Sequence, residues 1–210
     1  MLRYEKDPAE IYRQSFAAVR AETALDHLPD DLHDLAIRLV HACGMTDITA
    51  RLAWSDKVVR SARAALGAGR PVLCDSEAVS SMIIRRQLPA KNQVVCTLNA
   101  EGVAELAQCH HTTRSAAAVE LWKPDIEGAI VAIGNAPTAL FHLLERLDNE
   151  WPRPAAILAF PVGFVGAAES KAALASDPRG VPFVTLRGRR GGSAMAAAAV
   201  NAIASGLETS

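Results

Sequence analysis

The spacing of hydrophobic residues divides the chain into two helical segments and a longer region in which strands and helices alternate. In residues 7–24 and 29–43, apolar positions recur every three or four residues, which predicts two amphipathic helices. From residue 71 onward the pattern changes to short, nearly continuous apolar runs bounded by glycine, proline or polar residues, as is typical of strands. These runs comprise residues 71–75, 93–98, 128–134, 155–160 and 182–186.

Continuous apolar runs of this kind predict a parallel sheet that helices cover on both faces. A strand buried on both faces loses the alternation of polar and apolar side chains, and each run is followed by ten or more residues with a helical pattern. We therefore expect an α/β fold, namely a parallel, Rossmann-like open sheet with helices on both faces and a two-helix N-terminal extension. A length of 210 residues fits one domain that spans residues 1–210.

Composition and charge argue against several classes of function. A formal net charge of −1 does not suit a protein whose main partner is nucleic acid. The charged segment MLRYEKDPAE and the lack of an apolar stretch of spanning length predict a cytoplasmic protein without a membrane partner. No cysteine pair has CxxC spacing, and His110 and His111 have no partner ligand one helical turn away, so neither a metal site nor a disulfide is expected. The cysteines predicted to pack in the core are Cys43, Cys74, Cys96 and Cys109.

Three loops that follow predicted strands carry residues that suit an anionic ligand, at the sheet edge where open sheets bind ligands. "GNAPTAL" (134–140) places Asn135 near a helix start, either as its cap or beside amides that bind an anion. "PVGFVGAAESK" (161–171) contains two glycines that permit close backbone approach, but not the Walker order of residues. "RGRRGGS" (187–193) carries three arginines, which are either solvated or bind carboxylates or phosphates. Together the loops predict one large anionic ligand, and without a GxGxxG fingerprint they do not indicate NAD.

His41 is the candidate for proton transfer. On a helical wheel it points away from the apolar face of residues 29–43 and shares the polar side with Asp34 and Arg38. The helix is predicted to end at Gly44, so the imidazole lies in the last turn, where free carbonyl groups favour a protonated ring. Such a histidine can donate a proton near neutral pH, and an ordinary surface histidine fits the same spacing.

Long motifs spread along the chain resemble the precorrin-8X methylmutase family of cobalamin biosynthesis. They are "IYRQSF" (11–16), "RLVHACGM" (38–45), "TTRSAAA" (112–118), "VAIGNAPTAL" (131–140), "PVGFVGAAESK" (161–171) and "GVPFVTLRGRRGGSAMAAAAVNA" (180–202). The resemblance covers nearly the whole chain, and the order of the motifs makes it specific. The chain departs from the family pattern at Met82, where glycine is frequent, and at Thr112, where asparagine is frequent, so substrate contacts are expected to differ there.

The resemblance implies a cofactor-free isomerase. Members of the family move the methyl group at C11 of precorrin-8X to C12 and so form hydrogenobyrinate, without a metal or another cofactor. The histidine of the family's HACG motif is regarded as the catalytic acid and maps onto His41. The resemblance also implies a homotrimer, and the product would be handed over to the next enzyme of the pathway. The residues implied to bind the substrate are Tyr12, Ser15, Arg114, Ser115, Asn135, Thr138, Gly163, Gly166, Arg187 and Gly191.

Three alternatives to this function stay open at the level of sequence. The anaerobic branch of the family carries out the same reaction on cobalt-precorrin-8, although the motifs favour the cobalt-free branch. A non-catalytic tetrapyrrole carrier that binds hydrogenobyrinate would need the loops but not His41. A Rossmann-like nucleotide-binding enzyme would need a glycine fingerprint or a ribose-binding acid, and the sequence shows neither.

Overall fold

The computed structural model describes Leu2 and residues 4–205, and a six-stranded sheet in the order β1-β6-β5-β4-β2-β3 forms its centre. The strands are β1 (Leu52–Trp54), β2 (Val72–Cys74), β3 (Val94–Cys96), β4 (Ile130–Ile133), β5 (Ala156–Ala159) and β6 (Phe183–Leu186). The α-helices of the described residues are α1 (Pro8–Glu22), α2 (Asp30–Cys43), α3 (Val58–Gly67), α4 (Glu77–Met82), α5 (Val103–Cys109), α6 (Arg114–Val119), α7 (Pro137–Asp148), α8 (Ala167–Ser176) and α9 (Ser193–Ser205). None of these helices is long and apolar enough to cross a membrane.

The predicted parallel sheet is confirmed for the neighbouring strands from β2 to β6. The structure adds an antiparallel edge strand, β1, in which Leu52 lies opposite Leu186 of β6. The sequence pattern did not predict this strand because three residues are too few to show a periodicity. The helices after β2 and β3 are also shorter than expected. Helix α5 ends at Cys109, and two residues later His111 adopts a left-handed backbone conformation with φ 49°.

Helices cover both faces of the sheet, as predicted. Successive residues of a strand point to opposite faces, so Cys74 belongs to the same core as α2, α3 and α9, whereas Leu73 belongs to the core that includes α7. The second N-terminal helix is therefore part of a sheet-covering layer, and α2 packs extensively against α9. Helix α1 packs against α2, and Phe16 is its one buried residue.

The Asp75 carboxylate joins two strands at the point where the order of the sheet reverses. From β2 the chain continues to β3 on one side and later to β4 on the other, so the boundary between β2 and β4 is the topological switch point. Asp75 is 2% exposed and accepts backbone N–H bonds from Gly134 at 2.9 Å, Asn135 at 2.9 Å and Ala136 at 2.7 Å. Burial raises the pKa of this carboxyl, and the three N–H donors oppose that effect.

Asn135 does not cap helix α7, and two of the amides that an external anion would use are already bound to Asp75. Helix α7 has Pro137 at its first position and Ala136 as its N-cap. The methyl side chain of Ala136 makes no capping hydrogen bond. The side chain of Asn135 is exposed. The amides that a cap or an external anion would bind are instead satisfied by Asp75, a residue from another strand that a local sequence pattern cannot reveal.

A second backbone contact fixes the loop after β6 against the loop after β5. The N–H of Gly192 donates to the carbonyl oxygen of Phe160 at 2.8 Å, and a Cβ atom added at Gly191 would lie 2.2 Å from that same oxygen. The fully buried Lys171 donates from Nζ to the carbonyl oxygen of Arg190 at 2.5 Å, and desolvation lowers its pKa to about 8. The glycine and the lysine of these loops therefore serve the packing of the backbone.

The prediction that all four cysteines lie in the core was wrong for Cys109. Cys74 is buried, Cys43 and Cys96 are half-buried, and Cys109 is exposed. The buried face of α5 carries Val103 and Ala107, four residues apart, and a residue two positions beyond Ala107 lies on the opposite side of the helix.

Replacing Asp75 should destabilise the fold. In Asp75→Ala, three buried N–H groups lose their acceptor, so we expect the free energy of unfolding in urea to fall by about 3 kcal/mol. The matched control is Asp125→Ala, which removes an exposed carboxylate and should change the unfolding free energy by less than about 0.5 kcal/mol. Equal stability of Asp75→Ala and the wild type would mean that the carboxylate does not hold the switch point.

A side chain at position 191 should also be destabilising. The added methyl group of Gly191→Ala would overlap a backbone carbonyl that cannot move aside easily, so the unfolding free energy should fall by about 1–3 kcal/mol. In Gly67→Ala the added Cβ meets no atom within 4 Å, and the same measurement should show a change of about 0 to +1 kcal/mol. If Gly191→Ala behaved like Gly67→Ala, the close approach to Phe160 would not exist in solution.

Candidate active site

A cavity of about 370 Å³ lies between α1, α2, α9 and the end of α4 with the residues that follow it. It is lined by Tyr12, Arg38, His41, Ala42, Met82, Ile84, Ala194, Ala197, Ala198 and Asn201. Most of the wall is apolar, and the polar groups come from Tyr12, Arg38, His41 and Asn201. The histidine that the sequence singled out therefore faces a cavity with few polar groups.

The imidazole of His41 is held from two sides. Helix α2 ends at Gly44 as predicted, with φ 69° and an N–H bond to the carbonyl of Val40, so the ring lies in the last helical turn. Nδ1 lies 3.0 Å from the hydroxyl of Ser15, and the ring stacks on Phe16 with 4.7 Å between centroids and 21° between planes. Because Ser15 engages Nδ1, Nε2 is the ring nitrogen left for a ligand.

Tyr12 contributes to the same site from α1. Its hydroxyl accepts a hydrogen bond from Nη2 of Arg38 at 3.2 Å, and its ring packs on Phe16 with 4.3 Å between centroids. Two of the predicted binding residues, Tyr12 and Ser15, are thus brought together with His41. Their spacing of three residues places both on one face of α1, toward the polar side of α2.

The opposite wall depends on Asn201, which the sequence analysis missed. Its amide oxygen accepts the N–H of Ile84 at 2.8 Å, and its amide nitrogen donates to the carbonyl oxygen of Met82 at 3.1 Å. The departure from the family pattern at Met82 therefore lies in the His41 cavity, where the side chain is 48% exposed. A polar residue within the otherwise alanine-rich α9 was the available signal.

Arg114, Ser115 and Thr138 form a second group at the carboxyl edge of the sheet. Thr138 lies 2.7 Å, hydroxyl to hydroxyl, from Thr113, the N-cap of α6, which begins with Arg114 and Ser115. Nη2 of Arg114 donates to the side-chain oxygen of Asn99 at 2.6 Å. The same guanidinium lines a wider cavity of about 540 Å³, together with Ala104, Ala107, Gln108, His111 and Thr112.

The remaining predicted residues lie in the three loops and have local structural roles. Gly166 is the N-cap of α8 with φ 79°, and Gly163 donates its N–H to the carbonyl oxygen of Arg189 at 3.3 Å. Arg187 is exposed, and its N–H binds the carbonyl oxygen of Arg51 beside β1. None of these three residues lines the His41 cavity.

The first turn of α9 connects the loops at the sheet edge with the His41 cavity. A Cβ added at Gly134 would lie 2.7 Å from the Cα atom of Ser193, and the hydroxyl of Ser193 lies 3.4 Å from that of Ser76. The next residue, Ala194, already lines the cavity. The first turn of α9 therefore packs against the loop after β4 and also contributes to the wall of the cavity. No group of three or more His, Cys, Asp or Glu side chains among the described residues could hold a metal ion.

Comparisons with known proteins agree with this architecture. The CbiC family profile, described as precorrin-8X methylmutase, matches residues 10–206. The precorrin-8X methylmutase of Pseudomonas aeruginosa is 57% identical over 208 residues, covering 99% of this chain and 100% of that protein. The precorrin-8X methylmutase of Sinorhizobium sp. is 54% identical over 201 residues, or 96% of each chain. Relatives named cobalt-precorrin-8 methylmutase are 28% to 34% identical to this chain.

The fold is also that of a solved structure with the same name. The crystal structure of precorrin-8X methylmutase from Thermus thermophilus superposes with a TM-score of 0.83 at 32% identity, and the match covers 93% of this chain and 94% of that one. The family profile, the two relatives and this structure each match nearly the full length of the chain. The chain therefore belongs to the precorrin-8X methylmutase family.

Proposed function

We propose that this protein is the isomerase that moves the methyl group at C11 of precorrin-8X to C12, giving hydrogenobyrinate in aerobic cobalamin biosynthesis. The observation that carries the proposal is His41, an imidazole that Ser15 and Phe16 hold at the wall of a mostly apolar cavity. Family membership supports the class of reaction. The geometry supports the role of the histidine, because an acid works best when it is fixed beside the reacting group.

The reaction requires a proton and a fixed geometry, but no electron carrier. The bond from the methyl group to C11 breaks and the bond to C12 forms, so substrate and product are isomers that differ in conjugation. In the proposed mechanism His41, as imidazolium, donates a proton or a hydrogen bond from Nε2 to the macrocycle while the methyl group migrates. Ser15 binds Nδ1 and fixes the ring orientation. The proton returns to His41 once the product has formed, since none is consumed overall.

The macrocycle must extend beyond the His41 cavity. A tetrapyrrole-derived ring with acetate and propionate side chains is larger than about 370 Å³, so the cavity takes one edge of it. The rest would lie along the carboxyl edge of the sheet, which α9 connects to the cavity. We therefore keep Arg114, Ser115, Asn135 and Thr138 as proposed contacts of the periphery. For Gly163, Gly166, Arg187 and Gly191, a contact through the backbone or the loop surface remains a prediction.

The cobalt-free ring is the proposed substrate. The relatives named precorrin-8X methylmutase are 54% and 57% identical to this chain, whereas those named cobalt-precorrin-8 methylmutase do not exceed 34%. Four further expectations remain predictions: the single domain over residues 1–210, the homotrimer, the cytoplasmic location and the hand-over of product to the next enzyme.

His41→Ala should lose turnover and keep ligand affinity. Loss of a general acid lowers rates by roughly 10²–10⁴-fold, so conversion of precorrin-8X, followed by visible absorbance under anaerobic conditions, should fall at least about 100-fold. The dissociation constant of hydrogenobyrinate should stay within about 3-fold. The control is His33→Gln, since His33 lies on the same helix, binds the carbonyl oxygen of Leu28 and does not line the cavity. Unchanged turnover in His41→Ala would show that His41 is not the acid. If the wild type bound the product but did not convert precorrin-8X, the non-catalytic carrier would be favoured.

Cys43, two residues after His41, should not take part in the reaction. Burial raises the pKa of its thiol, so the thiolate that would act as a nucleophile is disfavoured at neutral pH. The side chain packs against the core and donates weakly to the carbonyl oxygen of Val40 at 3.7 Å. We expect Cys43→Ser to keep kcat and KM within about 3-fold of the wild type, measured in the same absorbance assay. A collapse of kcat with unchanged stability would show that the thiol participates.

A further inference from the structure

Arg38 lies beside His41 but takes no part in the proposed proton transfer. The two residues are three positions apart on α2, which places them on one face of the helix, and both line the same cavity. Phe16 holds both side chains, because His41 stacks on its ring and the Arg38 guanidinium lies 5.5 Å from the ring centroid. The arginine and the imidazole therefore form one rigid unit at the cavity wall.

The guanidinium has more donor capacity than the protein uses. Nη2 donates to the hydroxyl of Tyr12 at 3.2 Å and to that of Ser205 at 3.4 Å, and both bonds are long and go to neutral oxygens. Nε is buried and has no hydrogen-bond partner among the described residues. Because Nε is enclosed, an external acceptor would bind the terminal nitrogens, where the two long bonds to neutral oxygens leave donor capacity.

The character of the cavity identifies the kind of acceptor. Among the lining residues, Arg38 is the one with a permanent charge, and the rest are apolar or neutral apart from the titratable His41 and Tyr12. A positive group in such surroundings favours an anion, and a guanidinium favours a carboxylate because it can donate two parallel hydrogen bonds. The main alternative anion site, the start of α7, already holds Asp75.

We propose that Arg38 binds a peripheral carboxylate of the macrocycle and thereby fixes the reacting edge of the ring beside His41. This inference rests on the proposed function, since it takes an acetate or propionate side chain of the substrate as the ligand. Charge-assisted bonds to the carboxylate replace the long bonds to Tyr12 and Ser205. Arg38 is thus a positioning residue for the reaction, and His41 remains the acid.

The test measures binding separately from turnover. The dissociation constant of hydrogenobyrinate is measured by absorbance titration for the wild type, Arg38→Met and Arg38→Lys, and kcat and KM for precorrin-8X are measured in parallel. We expect Arg38→Met to weaken product binding by at least about 10-fold and to raise KM similarly, with kcat changed less than KM. Arg38→Lys, which keeps the charge but not the planar fork, should lie between the wild type and Arg38→Met.

The same titration with an amidated ligand separates recognition from a structural defect. When the peripheral carboxylates are converted to amides, the ratio of dissociation constants between Arg38→Met and the wild type should fall toward 1, as in a double-mutant cycle. A variant that merely disturbed the packing of Phe16 would weaken the binding of both ligands equally. If Arg38→Met folds poorly, the same comparison is made with Arg38→Lys. The matched control is Arg20→Met, which removes a guanidinium that pairs with Asp34 between α1 and α2 but does not line the cavity.

The outcomes distinguish this inference from the proposed function. The role of Arg38 would be overturned, with the isomerase left intact, if Arg38→Met bound the product within about 2-fold of the wild type. The same holds if amidation of the ligand left the ratio of the two dissociation constants unchanged. Binding that depends on Arg38 without turnover by the wild type would support the carboxylate contact and overturn the proposed reaction. Weakening in Arg20→Met as large as in Arg38→Met would also overturn the specific role.

Discussion

The burial of one face of α2 against α9 and the sheet determines where the chemistry of this protein lies. Leu32, Leu35 and Leu39 are each no more than 1% exposed, so the rotation of the helix about its axis is fixed by the core. With that face committed, Arg38 and His41 must lie on the side that meets α1 and the cavity. The imidazole is therefore carried by a rigid helix rather than by a loop, which suits a reaction that depends on geometry more than on chemical reactivity.

The distribution of internal charge explains how a nearly neutral protein can bind a ligand with many carboxylates. Asp75 already occupies the amides at the start of α7, and Lys171 is buried against a backbone carbonyl, so neither is available to the substrate. The groups left for recognition are guanidinium side chains near the two cavities, such as Arg38 and Arg114. Selective use of arginine fits acetate and propionate groups, whose planar carboxylates match the guanidinium fork.

Sequence patterns predicted the features that depend on local periodicity and missed those that depend on distant contacts. The sheet and the orientation of His41 followed from apolar spacing, and the helix end followed from Gly44. Asp75 and Asn201 were missed because each is defined by partners about 60 and 117 positions away in the chain, which no local pattern encodes. Asn135 looked like a cap for the same reason, since the residue that satisfies those amides comes from another strand.

Motif resemblance and geometry contribute different parts of the site. The resemblance named Tyr12 and Ser15, and the structure places both within contact distance of the polar face of α2. The resemblance did not name Arg38, although it stands three residues before His41. Its place at the cavity wall and its long bonds to neutral oxygens are visible only in three dimensions.

The most direct test of the central claim, that the His41 cavity holds the reacting edge of the macrocycle, is a crystal structure of the full chain with hydrogenobyrinate bound. We predict that the edge carrying C11 and C12 lies in the cavity, with a ring atom about 3 Å from Nε2 of His41. A ring bound only at the groove around Arg114, with C11 and C12 remote from His41, would contradict it.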